Sequence, residues 1–181
     1  MHDHCIERLA ATTKLHSRMC IGYWRTRGRS SNTGWTSRLL LKLVVLISAD
    51  QLQYVINHAR SAYPEECCGF LIGLNSDVRR VHRASAAQNV ATPSKRRRYN
   101  IDPLELVRAD EDARRSKLDL IGIYHSHPDA PVEPSQLDLQ NAWPNFTYLV
   151  LSLQNGEPRD FAAWILTMDR TAFGRDEIRI V

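Results

Sequence analysis

At 181 residues, 43% of them hydrophobic, the chain is long enough to bury a sizeable core, most simply as one domain with an extension. Its net charge of +4 is unevenly placed: residues 1–42 carry eight basic and two acidic side chains, whereas the remainder carries 16 basic and 18 acidic. The basic character therefore belongs to the N-terminal segment and gives no ground for a specific nucleic-acid partner.

Residues 1–38 are rich in Arg, Ser, Thr and Gly and show no sustained apolar period. They are expected to be a basic, disordered N-terminal extension, with the folded domain at 39–181. The acid-poor composition also fits an organellar transit peptide, and an upstream start that adds non-domain residues is a third reading. Leu39 to Ile47 is too short to span a bilayer and contains Lys42. It reads as a first strand followed by an N-cap at Ser48, in preference to a signal-peptide core. A soluble, cytoplasmic protein with no membrane partner is expected.

A helix is predicted from 49 to about 62, with Leu52, Val55, Ile56 and Ala59 at i, i+3, i+4 and i+7 as its buried stripe. Strands follow near 67–73 and 78–84, separated by a Gly73-Leu74-Asn75-Ser76 turn. Asp102-Pro103-Leu104-Glu105 supplies an N-cap, a proline at N1 and a glutamate at N3, so a helix should run to about 115. Leu118 to Tyr124 is mostly apolar and suits a buried strand running into His125. Pro128 cannot donate to a sheet ladder and should end it. Asp129 to Pro134 is a stiff loop, Ser135 an N-cap, and strands near 147–153, 160–167 and 176–181 complete a mixed sheet flanked by helices.

The four cysteines make no framework. Cys67 and Cys68 are adjacent, a geometry that does not readily close a disulfide, and no Cys-x-x-Cys is present. A reducing compartment fits.

The chemistry concentrates in residues 125–138. His125 and His127 are two apart, so on a strand both imidazoles face one side. Asp138, in the first turn after Ser135, can swing a carboxylate back towards them. Two imidazoles and one carboxylate are the donors of a catalytic zinc site, and three ligands leave one position open. Each piece has a plainer reading. A lone His-x-His is often polar surface, and Ser135-x-x-Asp138 is also a capping box that needs no metal. Neither explains why both patterns share one window with prolines between them. A nitrogen–nitrogen–oxygen set favours zinc over other borderline divalent ions.

His125-Ser126-His127-Pro128, with Ser135 and Asp138 beyond it, resembles the motif of the JAMM (MPN-plus) metallopeptidases. In that family a glutamate before a Cys-Gly pair completes the site, and Glu66-Cys67-Cys68-Gly69 fits the frame, with Glu65 one residue out of register. The resemblance covers about residues 40 to 181. It implies an α/β, cytidine-deaminase-like architecture and one catalytic zinc held by His125, His127 and Asp138. It implies that Glu66 is the general base and acid, and that Ser135 stabilises the oxyanion. It also implies cleavage of a peptide or isopeptide bond after a Gly-Gly tail. The chain is short where the eukaryotic deubiquitinases carry insertions, so it looks like the compact bacterial branch. There the partner is a small ubiquitin-like or sulfur-carrier protein. Two alternatives stand beside this: an isopeptidase removing a ubiquitin-like modifier from lysines, and a non-catalytic, metal-stabilised interaction module.

One feature lies outside the motif. Ser94-Lys95-Arg96-Arg97-Arg98 sits in the loop between the strand ending near 84 and the helix at 102. It reads either as a solvated charge run or as a dock for an acidic carrier protein.

Overall fold

The computed structural model describes residues 44–181. The expectations for the extension at 1–38, for Cys5 and Cys20, and for the start of the first strand lie outside the described residues.

Among these residues are seven strands and three helices. Strand β1 spans Val44–Ile47, helix α1 Ala49–Ala62, β2 Cys68–Leu74, β3 Val78–Ala87, and α2 Pro103–Arg115. Strand β4 then spans Asp119–Pro128, α3 Gln136–Asn141, β5 Thr147–Gln154, β6 Glu157–Leu166 and β7 Phe173–Ile180. The expected elements are all present among the described residues, and β3, β6 and β7 run two or three residues longer than expected. The helices begin where their caps lie: Ser48 Oγ accepts from Gln51 N–H, and Asp102 Oδ1 accepts from Leu104 N–H at 2.8 Å.

The sheet is mixed, as expected, with strand order β1-β3-β2-β4-β5-β6-β7. It is also closed, which was not expected. β1 pairs in parallel with both β3 and β7 and joins the two ends. Closure leaves neither end of the sheet open to another chain.

The core falls on two faces. Val45, Ile47, Ile121, Tyr124, Leu149 and Leu151 pack with Leu52, Val55 and Ala59 of α1. Phe70, Ile72, Leu120, Ile123 and Tyr148 pack with Leu106 and Ala113 of α2. Strand β4 is buried on both faces, which accounts for its nearly continuous apolar run. Thr147 abuts it so closely that a Cβ at Gly122 would run into the Thr147 carbonyl.

One expectation is corrected. Gly73 does not form the turn. It lies inside β2 at a bulge, where a Cβ would run into the Arg80 carbonyl of β3, and the chain reverses at 75–77 instead. Glu105 stands in the first turn of α2 as expected. Its carboxylate accepts from the backbone N–H of Gln88 at 3.3 Å and pins the loop leaving β3.

Candidate active site

The site sits at the end of β4. His125 and His127 lie inside that strand and continue the face of Ile123, towards α2. Both are buried, His125 completely. Their Nε2 atoms face each other at 3.1 Å. The Nδ1–H of His127 donates to the Pro131 carbonyl at 2.6 Å, which leaves the Nε2 lone pair aimed into the site.

Asp138 arrives from the first turn of α3. The expected capping box is present, and it leaves the Asp138 carboxylate facing the histidines. Ser135 Oγ accepts from Asp138 N–H, and Asp138 Oδ2 accepts from the Ser135 N–H and hydroxyl, each at 2.6 Å. These bonds aim the carboxylate at the histidines: Oδ1 is 3.6 Å from His125 Nε2 and Oδ2 is 3.7 Å from His127 Nε2. The Ser135 hydroxyl is thus engaged with Asp138.

The three donors fit a zinc ion. Zinc–ligand distances of 2.0–2.1 Å in a tetrahedron put the donors roughly 3.4 Å apart. The observed separations of 3.1, 3.6 and 3.7 Å bracket that value. Two imidazole lone pairs meeting beside a buried carboxylate also need a cation or a proton between them.

Glu66 enters by strand pairing. Cys68 of β2 pairs with His125, and the antiparallel register carried two residues further puts Glu66 opposite His127. Backbone bonding continues there, with Ser126 N–H donating to the Cys67 carbonyl at 3.1 Å. The Cys67 N–H in turn donates to Ser126 Oγ at 2.9 Å. Opposite residues of an antiparallel pair share a face. Glu66 is buried, only 6% exposed.

The electrostatics follow from burial and proximity. Burial pushes the Glu66 carboxyl up to about 8; His127 and Arg98 oppose the shift and Asp138 reinforces it. Burial alone would raise the Asp138 carboxyl, but His125, His127 and Ser135 outweigh it and hold Asp138 well below the usual carboxylate range. Burial lowers His125. His127 is also disfavoured by burial, yet Asp138 and the Pro131 carbonyl raise it overall.

The Glu66 shift has a measurable consequence in chelator-stripped protein. An acid with a raised folded-state pKa binds its proton more tightly when folded. The resulting stability is fully present below the unfolded value of 4.5 and is lost as pH rises through about 8. Relative to Glu66→Gln, the wild type is expected to lose stability between those pH values, on the order of 3–5 kcal/mol at most. Denaturant titrations of both proteins across the range check this. A pH-independent difference would mean a solvated carboxyl.

The sequence reading missed Tyr99. Its ring stacks on His125 with centroids 4.5 Å apart and planes 28° apart. It also missed Asn89, whose side-chain amide donates to the Glu66 carbonyl at 2.9 Å. No local pattern marks either residue. The cysteines behave as expected: Cys67 and Cys68 are free and buried.

Residues 48–166 match the family of prokaryotic homologues of the JAB domain. The chain is 38% identical over 111 residues to a desampylase of Haloferax volcanii, covering 59% of this chain and 78% of the relative. It is 30% identical over 113 residues to a CysO-cysteine peptidase of Mycobacterium tuberculosis, covering 62% and 75%. A solution structure from Desulfitobacterium hafniense superposes with a TM-score of 0.67 at 30% identity, over 76% of this chain and 92% of that one. With more than half its length matched by the family model, the chain belongs to the prokaryotic JAB family, JAMM-type hydrolases of the kind its His125–Asp138 motif resembles.

Proposed function

We propose that this protein is a zinc-dependent peptidase that hydrolyses the peptide or isopeptide bond after the Gly-Gly tail of a small ubiquitin-like or sulfur-carrier protein. The observation that carries the reading is the buried pair of imidazoles and a carboxylate, with the buried Glu66 two residues before the strand that pairs with theirs. The enzymatic domain is taken as residues 39–181, in the cytidine-deaminase-like architecture of JAMM domains and in the cytoplasm. No helix among the described residues is long and apolar enough to cross a membrane.

His125, His127 and Asp138 are the proposed ligands. A zinc ion held by these residues would supply a Lewis acid, able to lower the pKa of water and polarise a carbonyl. Glu66, buried and with its pKa displaced towards neutrality, takes the proton from the attacking water as the C–O bond forms. It returns that proton to the amine nitrogen as the C–N bond breaks. Ser135 has two tasks. Its hydroxyl now donates to Asp138 Oδ2, and turning it towards the substrate would let it donate to the oxyanion. Ser135→Ala is therefore expected to cost about 1 kcal/mol of stability through the lost cap. It should also lower kcat by about 10²-fold. A loss of stability with unchanged kcat would leave Ser135 as a cap alone.

The relatives' names support the substrate class, since they include desampylases, a probable TtuB-protein conjugate cleaving protease and CysO-cysteine peptidases. They also keep open lysine deconjugation beside release of a single amino acid from a carrier. Mass spectrometry separates the two, using one Gly-Gly carrier fused to cysteine and the same carrier joined to a lysine ε-amine. Cleavage after Gly-Gly in either substrate supports the reading and names the bond, and cleavage in neither rejects it.

A further inference from the structure

The basic run at 95–98 is the one motif that the catalytic reading leaves unused. We infer that Arg96 and Arg97 form a docking rim for an acidic face of the carrier protein, beside the point where its tail enters. The inference rests on the substrate class proposed above.

The loop that carries these residues is fastened to the catalytic machinery. Glu66 N–H donates to the Lys95 carbonyl at 2.7 Å. The Asn89 side-chain amide donates to the carbonyls of Glu66 and Arg98, at 2.9 and 3.1 Å. Asn89 Oδ1 accepts from the N–H groups of Ala91 and Asn100, at 3.0 and 3.2 Å. Val90 N–H donates to the Asn100 carbonyl at 2.9 Å, and Tyr99 stacks on His125. The backbone from 89 to 100 is thereby held against both the proposed base and a proposed ligand.

Arg96, Arg97 and Arg98 are exposed. Among the described residues none of the three makes an ion pair with a carboxylate within 4.0 Å, as Arg60 and Arg83 do. The run concentrates four of the 16 basic side chains of residues 43–181, a region that carries 18 acidic ones. Its backbone lies beside the site, where Lys95 bonds Glu66 directly and Arg98 is linked to it through Asn89. The charge of Arg98 acts on Glu66, and that of Arg96 acts on Asp129, just beyond the end of β4. Like charges side by side repel one another, and an opposing acidic surface relieves that repulsion and steers encounter. A folded carrier supplies such a surface; a short tail does not reach beyond the site.

The test uses Arg96→Glu/Arg97→Glu and leaves Arg98 alone, because its charge acts on Glu66. The probes are a ubiquitin-like carrier with an acidic face beside a Gly-Gly–cysteine tail, the same carrier with those carboxylates changed to amides, and a short Gly-Gly peptide with a fluorogenic leaving group. At low salt the double variant is expected to raise KM for the acidic carrier about tenfold or more, with kcat and peptide cleavage unchanged. The neutralised carrier should show the raised KM already with wild type. Added salt should raise the wild-type KM for the acidic carrier and leave the variant's nearly constant. An unchanged KM for the acidic carrier, or equal loss on carrier and peptide, overturns the proposal. So does an unaltered carrier KM in a variant that has lost binding to a single-stranded oligonucleotide, which would assign the run to nucleic acid. If wild type cleaves neither carrier nor peptide, the proposed function itself falls and the dock falls with it.

Discussion

Glu66→Gln is expected to lower kcat for Gly-Gly tail cleavage by about 10²–10⁴-fold while leaving zinc affinity within a few-fold of wild type. The amide keeps the shape and burial of the carboxyl but cannot take a proton from water. Glu66 is not among the three residues whose donor atoms converge, so the metal should remain. Single-turnover rates beside zinc content measure both halves. Loss of zinc together with activity would move Glu66 into the ligand set, and retained activity would leave the site without its base.

The second large effect belongs to His127. Its Nε2 faces both His125 and Asp138, and its Nδ1–H is fixed by Pro131. His127→Ala should bring zinc content after dialysis from about one per chain to near zero and cleavage to background. It should also abolish the stabilisation that zinc gives the wild type, about 3 kcal/mol when free zinc stands at about 100 times Kd. Thermal melts with and without zinc follow this directly. His127→Ala that keeps full zinc-dependent stabilisation would show that the ion binds elsewhere.

The convergence of His125, His127 and Asp138 was legible because its geometry is local. The pleat puts His125 and His127 on one face, and the first turn of a helix fixes Asp138 relative to Ser135. The capping box was read as the plainer account of Ser135 and Asp138 taken alone, and its bonds are what aim the carboxylate at the histidines. Glu66 had no such local mark. It reaches His127 through β2–β4 pairing, across some sixty residues, and only the Glu-Cys-Cys-Gly frame of the family resemblance pointed to it. Tyr99 and Asn89 were invisible for the same reason, without a motif to help. Closure of the sheet through β1 was also out of reach, because parallel pairing of Val44–Ile47 with both β3 and β7 leaves no pattern in four residues. Gly73 misled because glycine marks close backbone approach as well as turns.

The most direct measurement is zinc-edge X-ray absorption on the purified protein, with zinc content determined on the same sample. The expected result is about one zinc per chain and a shell of only nitrogen and oxygen near 2.0–2.1 Å, lost in His127→Ala. A sulfur shell near 2.3 Å would assign the ion to cysteine, and absence of bound zinc in wild type would contradict the centre formed by His125, His127 and Asp138.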